Sequence, residues 1–139
     1  MKKRILVPID FSACSDAALE HALAIADEGD GEVEVLYVWC PREPASPQST
    51  IFADTPQGIA MQERLSAAES THAARVSGRL EFGDEPSSVI LAILQRERFD
   101  MVVIGPAAGS IAARLAKTAP CRVVTMPPPA PSSAKIVAA

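Results

Sequence analysis

Short apolar runs alternate with amphipathic helical segments along most of this chain, and this alternation constrains the possible folds more than any other feature. The run "RILVPI" from Arg4 to Ile9 is short, continuous and aliphatic, which is typical of a fully buried strand. The run "EVEVLYVW" from Glu32 to Trp39 is rich in β-branched and aromatic residues and predicts a second strand. Between these runs, four apolar residues recur at helical spacing: Leu19, Ala22, Leu23 and Ala26.

The same alternation continues towards the end of the chain. The remaining predicted elements are a helix from Gln57, a strand at 79–83, a helix after Asp84 or Glu85, a strand at 101–104, a helix at 110–118 and a strand from Arg122 to Met126. The order is therefore βαβαβαβαβ. It predicts an α/β fold with an open, doubly wound, five-stranded parallel sheet and helices on both faces.

The chain of 139 residues fits one domain, which we expect to span residues 1–126. Prolines at positions 41, 44, 47 and 56 predict a long loop between Cys40 and Gly58. Residues 127–139 are proline-rich and are expected to form a flexible tail.

Charge and cysteine content narrow the classes of function. The net charge of −4 argues against nucleic acid as a partner, because a protein that neutralises phosphates needs a basic face. The apolar run after "MKKR" ends at Pro8 and Asp10, which is too short for a signal peptide or a membrane span. The cysteines Cys14, Cys40 and Cys121 form no C-x-x-C pair, so neither a disulfide framework nor a zinc site is indicated. We therefore expect a cytoplasmic protein that binds neither membranes nor metals.

Asp10, Val38 and Gly105 stand where predicted strands end. Ligands of open parallel sheets bind at the carboxyl ends of the strands, beside a topological switch point. The carboxylate of Asp10 could accept a hydrogen bond from a ribose hydroxyl or bind a cation. It could equally serve as a turn residue before the first helix, and spacing alone leaves these roles open.

Several catalytic chemistries lack the residues that they require. A cysteine phosphatase loop that starts at Cys14 would need an arginine six residues later, where Glu20 stands. A receiver-type phosphorylation site would need a second acid before Asp10, and no G-x-S-x-G motif marks a nucleophile. The histidines are interpreted as a surface residue, His21, and a packed residue, His72.

The loop "GPAAGS" after the fourth strand has neither the lysine of a Walker A loop nor the spacing of G-x-G-x-x-G. Gly109 and Ser110 open the last helix, whose free N–H groups could bind an anion. Pro106 removes one donor, and a turn with a serine cap is favoured on these residues alone. Further along the helix, Arg114 and Lys117 are interpreted as a solvated face.

Five segments follow one another up to Met126: "ILVPIDFS", "VEVLYVW", "LEFGDEPSSVILAI", "FDMVVIG" and "GSIAARLAKTAPCRVV". In their order and spacing they resemble the universal stress protein family. The resemblance implies a Rossmann-like fold of the adenine nucleotide alpha hydrolase-like type, and a role in the stress response with protein partners still to be identified. It also implies a homodimer formed by pairing of the last strands, from Arg122 to Met126, and an apolar edge strand favours such pairing.

The resemblance assigns seven residues to a nucleotide site. In family members that bind ATP, the last loop reads G-x-x-G, nine further residues, then G-[ST]. Asp10 is equated with the ribose-binding aspartate, and Val38 with the residue whose backbone meets adenine. The other positions are Pro8 beside the adenine pocket, Ile104 and Gly105 at the first loop glycine, and Gly109 and Ser110 at the closing G-[ST] that contacts phosphate.

The chain departs from this pattern between Gly105 and Gly109, where only "PAA" is present. Most of the segment that wraps the triphosphate with backbone N–H groups in the family is therefore missing. Each charge-assisted hydrogen bond contributes about 1.5–3 kcal/mol, so losing two of them weakens binding by about a hundredfold or more. We expect a regulatory or binding module without catalysis, with no tightly held cofactor and with reduced affinity for ATP.

Two other functions stay open on the sequence. An ATP-binding switch with slow or no hydrolysis would need the loop between Cys40 and Gly58 to fold over the phosphates. That loop offers four donors: Arg42, Ser46, Ser49 and Thr50. A thiol-responsive module would use one of the three cysteines and would require a lowered thiol pKa.

Overall fold

The structure, a computed structural model, describes residues 3–39, 55–105 and 109–126. Within these ranges, strands and helices alternate along the chain. They are β1 (Arg4–Pro8), α1 (Ala13–Gly29), β2 (Glu32–Trp39), α2 (Pro56–Thr71), β3 (Arg75–Phe82), α3 (Pro86–Arg96), β4 (Met101–Ile104), α4 (Gly109–Thr118) and β5 (Arg122–Thr125).

The five strands form one parallel sheet in the order β3-β2-β1-β4-β5. The central strand β1 pairs with its neighbours on both sides, so that Ile5 lies opposite Val33 of β2 and Met101 of β4. The strand order reverses between β1 and β4, which makes this pair the topological switch point of the sheet. The predicted α/β class and five-stranded parallel sheet are confirmed.

Helices cover both faces of the sheet, and two separate apolar clusters lie beneath them. On one face, Ile5 and Val7 of β1 pack with buried residues of α1 and α2. On the other face, Leu6 of the same strand packs with buried residues of α3 and α4, such as Ile93 and Leu115. This division follows from the alternation of side chains along a strand and confirms the doubly wound arrangement.

The third strand is longer than the sequence pattern predicts, because it begins at Arg75 rather than at position 79. Its first four residues, "RVSG", contain two polar residues and a glycine, which weaken the apolar signal. Arg79 of this edge strand forms several ion pairs. Arg79 donates to Glu34 Oε2 and Glu81 Oε2, both at 2.9 Å, and also to Glu97.

The second helix begins at Pro56, so the last three residues of the predicted loop between Cys40 and Gly58 are helical. Thr55 caps this helix by accepting a hydrogen bond from Gly58 N at 3.0 Å, and proline fits its first turn. The part of the predicted loop at residues 40–54 lies outside the described residues, as does the predicted tail at 127–139.

Other predicted boundaries differ from the structure by one residue. The first strand ends at Pro8, β5 ends at Thr125 rather than Met126, and α4 begins at Gly109. Asp30 terminates α1 in the left-handed conformation, with φ of 55°. No helix in the described ranges is long and apolar enough to cross a membrane.

A hydrogen-bonded histidine joins α1 to the segment between α2 and β3. His72 Nδ1 lies 2.6 Å from Asp27 Oδ2, and its Nε2 lies 3.4 Å from Glu20 Oε1. The other oxygen of Asp27 accepts a hydrogen bond from Ala74 N at 2.8 Å. The hydrogen bond to Asp27 raises the pKa of His72, and the same contact lowers the pKa of Asp27.

These shifts predict that His72 stabilises the fold most in mildly acidic solution. A raised histidine pKa contributes stability below the ordinary value of about 6.5, and the contribution is lost as pH rises through the folded pKa. The lowered pKa of Asp27 contributes stability above its ordinary value of 3.8 and loses it only as pH falls. In urea unfolding from about pH 6 to about pH 9, the wild type should lose stability relative to His72→Gln.

The exposed histidine supplies the matched control, since His21→Gln should follow the wild type over the whole range. An equal pH dependence of the wild type and the His72 variant would show that this contact does not favour the imidazolium.

Candidate functional site

A cavity of about 340 Å³ opens at the carboxyl edge of the sheet, at the switch point between β1 and β4. Its size lies within the range of small-molecule sites, which begins near about 300 Å³. It brings together five of the seven residues that the family resemblance assigns to a nucleotide site: Pro8, Asp10, Val38, Ile104 and Gly105.

The other two predicted residues, Gly109 and Ser110, form the first turn of α4. They are not among the described lining residues, but Ile111 directly after them is. The amino end of α4 therefore lies at the cavity. Free backbone N–H groups at such a position favour an anion.

A tight turn at the end of β1 orients the carboxylate of Asp10. Phe11 has φ of 66°, an uncommon conformation for a residue with a side chain, and its ring packs against Tyr37 with centroids 4.8 Å apart. The turn lets Asp10 Oδ1 accept hydrogen bonds from Ser12 N at 3.0 Å and Ser12 Oγ at 2.5 Å. Asp10 N in turn donates to Ser15 Oγ at 3.3 Å.

These hydrogen bonds keep Asp10 ionised. Partial burial raises the pKa of its carboxyl group, but hydrogen bonds from Ser12 and Ser15 outweigh burial, and the net shift is downward. Both bonds from Ser12 fall on Oδ1. The carboxylate can therefore act as a charged acceptor for hydroxyl groups of a ligand in the cavity.

The walls of the cavity are mainly apolar. Leu36 and Val38 come from β2, Ile90 comes from α3, and Ile104 and Ile111 come from the end of β4 and the start of α4. Leu36, Ile90 and Ile104 are fully buried, whereas Val38 is half-buried and belongs to the open part of the wall. Such walls fit a flat, weakly polar ring, and the carboxylate of Asp10 marks the polar end.

Gly105 brings the end of β4 into direct contact with the first turn of α1. A Cβ atom at this position would lie 2.8 Å from Cys14 O and 3.2 Å from Ser15 N. Both neighbours are backbone atoms at a helix start, so they have little freedom to move. The close approach requires glycine here, at one of the residues that line the cavity.

The described thiols give little support to a thiol-responsive site. Burial raises the pKa of Cys121, with a smaller contribution from the charge of Asp100, whereas a reactive thiol needs a lowered value. Cys14 is half-buried and lines the cavity, and Cys40 lies outside the described residues. Within the described ranges, no group of three or more His, Cys, Asp or Glu residues could hold a metal ion.

The sequence did not predict that the first turns of α3 and α4 line the cavity. Pro86 and Ile90 of α3 and Ile111 of α4 line the cavity, although none was predicted. The signal was present, because in parallel α/β units each helix begins at the edge where the preceding strand ends. Arg114 lies on an exposed face of α4, as predicted, but the sequence did not show that it donates hydrogen bonds to Glu85 Oε1 and Ser87 Oγ, both at 2.9 Å.

Known proteins share this sequence pattern and this architecture. A family model described as the universal stress protein family matches residues 1–127. Among curated protein sequences, none matches the chain significantly.

Among solved structures, universal stress protein UspA from Lactobacillus plantarum has a TM-score of 0.72 and 24% identity, covering 90% of this chain and 97% of that protein. A universal stress protein in complex with cAMP has a TM-score of 0.74 and 18% identity, covering 91% and 98%. A family protein from Arabidopsis thaliana with AMP bound has a TM-score of 0.70 and 21% identity, covering 93% and 94%.

The contact at Gly105 predicts that Gly105→Ala destabilises the protein. The added methyl group must push the end of β4 away from the backbone of Cys14, and such overpacking costs about 1–3 kcal/mol. Urea unfolding measures the loss. The control is Gly29→Ala in the last turn of α1, where an added Cβ meets nothing within 4 Å and stability should change by less than about 1 kcal/mol. Equal stabilities of the two variants would contradict the packing role of Gly105.

Proposed function

This chain belongs to the universal stress protein family, and from that premise we propose that it is a regulatory binding module for an adenine nucleotide. In this proposal the cavity at the switch point holds the adenosine part of the ligand, and the protein does not bind ATP tightly. The module binds its ligand without converting it, and it acts in the cytoplasm during the stress response.

The observation that carries the proposal is the composition of the cavity. Its lining combines an ionised Asp10, apolar residues from β2, α3 and β4, and Ile111 at the start of α4. Adenosine needs the same three features: acceptors for the ribose hydroxyls, a flat apolar slot for the base, and donors for a phosphate. AMP and cAMP are bound in structures that share this fold.

The length of the β4–α4 connection supports a monophosphate over a triphosphate. Three residues, Pro106, Ala107 and Ala108, separate Gly105 from Gly109. Pro106 has no N–H group, so few donors remain for a chain of three phosphates. The first turn of α4 can still offer N–H groups to one phosphate.

An ATP-binding switch with slow or no hydrolysis is the competing function. It requires donors from the loop between Cys40 and Gly58, most of which lies outside the described residues. The same titration tests both functions. Micromolar binding of ATP, much tighter than that of AMP, would favour the switch.

Calorimetry with adenosine, AMP and ATP in the presence of magnesium tests the proposal. AMP should bind more tightly than ATP, and Asp10→Asn should weaken adenosine and AMP alike. The asparagine keeps an oxygen for the hydrogen bonds from Ser12 but loses the charge, which costs about 1–2 kcal/mol or roughly five- to thirtyfold in affinity.

The matched control for Asp10→Asn is Glu69→Gln, which removes the same charge from the exposed side of α2. This variant should bind like the wild type. If the wild type shows no binding of adenosine or AMP below about a millimolar, a limit that corresponds to about 4 kcal/mol, the nucleotide proposal fails.

The proposed module is a homodimer that pairs through β5, as the family resemblance implies. In the described sheet, β5 is an edge strand. Met126 N donates to Ile104 O at 2.9 Å, and backbone groups alternate between the two sides of a parallel strand. The N–H group of Thr125 therefore faces away from β4, which is the direction of a partner strand.

Thr125→Pro should convert the dimer to a monomer in analytical ultracentrifugation. Proline removes the outward N–H group and is tolerated in an edge strand, so pairing with β4 should persist. Thr125→Ser keeps the N–H group and should remain dimeric. A folded proline variant that sediments as a dimer would place the interface elsewhere. Val124→Asp is a poorer test, because Val124 packs against the apolar cluster under α1 and α2.

A further inference from the structure

The cavity offers a negative charge to a ligand but no positive one. Among its described lining residues, Asp10 is the charged side chain, and there is no lysine, arginine or histidine. A nucleotide phosphate that enters this site meets the N–H groups at the start of α4, and a nearby cation would strengthen its binding.

Arg114 is the cation that joins α4 to α3 next to residues that line the cavity. Its Nη1 donates to Glu85 Oε1 and to Ser87 Oγ, both at 2.9 Å. Ser87 is buried, whereas the side chains of Arg114 and Glu85 are 47% and 60% exposed. Within the described ranges, Nε and Nη2 of Arg114 donate to no protein acceptor, so the guanidinium keeps donors for another anion.

The position of this pair relative to the cavity follows from its neighbours. Glu85 directly precedes Pro86, which lines the cavity, and Arg114 lies three residues after Ile111, which also lines it. Residues three apart share one face of a helix, and helical side chains lean towards the amino end. The guanidinium therefore reaches back to the edge of the sheet where the cavity opens.

Arg64 also lies close to the turn at Asp10, but its guanidinium already forms an ion pair with another carboxylate. Its Nε and Nη2 donate to the two carboxylate oxygens of Asp16 at 2.7 and 3.1 Å. It also lies over the ring of Phe11, with 5.1 Å between the guanidinium carbon and the ring centroid. A bidentate pair of this kind leaves little attraction for a further anion.

We infer that Arg114 is the phosphate-binding cation of this site, and that the carboxylate of Glu85 occupies it in the free protein and competes with the ligand. The inference rests on the proposed nucleotide function and names the part of the ligand that the pair recognises, a single 5′-phosphate.

The surroundings of Glu85 allow a ligand phosphate to replace its carboxylate beside Arg114. Glu85 stands at the N-cap position of α3, but its side chain makes no capping hydrogen bond, so the helix does not depend on it. A hydrogen bond from Ser88 and then the charge and hydrogen bond of Arg114 lower the pKa of Glu85, which keeps it anionic. An exposed ion pair is weak, and a phosphate of higher charge and with three oxygens is a better partner for the fork of an arginine.

The test compares AMP with adenosine in calorimetry on the whole chain, because the difference between the two ligands isolates the phosphate. Glu85→Gln keeps an oxygen for Ser88 but removes the competing charge, and should tighten AMP about three- to tenfold. Arg114→Gln should weaken AMP about tenfold, with partial recovery in Arg114→Lys. Adenosine should bind equally to all three variants and to the wild type.

Lys117→Gln is the matched control, since it removes a cation one turn further along the exposed side of α4, and it should leave AMP binding unchanged. If adenosine binds to the wild type but AMP affinity is the same in the Glu85 and Arg114 variants, the pair has no role in phosphate binding and the inference is wrong. If adenosine itself does not bind, the proposed nucleotide function is wrong, and the role of the pair is lost with it.

Discussion

The strand β1 lies in the centre of the sheet, hydrogen-bonded to β2 on one side and to β4 on the other. The helix that follows β1 packs on one face of the sheet, and the helix that follows β4 packs on the opposite face. Two helices that leave adjacent strands in opposite directions cannot cover the edge between them. The cavity lies at this divergence, and the ends of β2 and β4 and the start of α3 complete its lining.

Opposite charges act on a ligand from the two strands at the switch point: a carboxylate follows β1, and a positive helix end follows β4. Asp10 is held as an anion by Ser12 at the end of β1. The start of α4 and Arg114 lie on the far side of the switch point, where an anion is stabilised. In the proposed nucleotide complex, hydroxyl groups beside Asp10 and a phosphate beside the start of α4 would keep the two negative charges apart.

The sequence predicted the sheet, and it placed Asp10, Val38 and Gly105 at the carboxyl edge, because those features depend on local patterns. Pro8 and Ile104 were assigned to the site by the family resemblance. Apolar runs mark buried strands, and a polar residue or glycine at the end of a run marks the edge. The sequence did not predict the start of β3, where "RVSG" lacks alternation and pairing with β2 decides the structure. It also could not predict that Arg114 meets Glu85, since the two residues lie 29 positions apart and meet only when α3 and α4 pack together. Contacts of that kind depend on strand order, which local patterns do not encode.

In the connection between β4 and α4, the residue needed for packing of the fold differs from the residues that would bind a triphosphate. Gly105 must be a glycine because its backbone touches that of Cys14, and this contact holds whatever follows it. Three further residues lie between Gly105 and the start of α4 at Gly109. A longer loop would therefore add phosphate donors without adding to the packing of the core. Because the core does not depend on loop length, the affinity for phosphates can change while the sheet, the cavity and the contact at Gly105 stay the same.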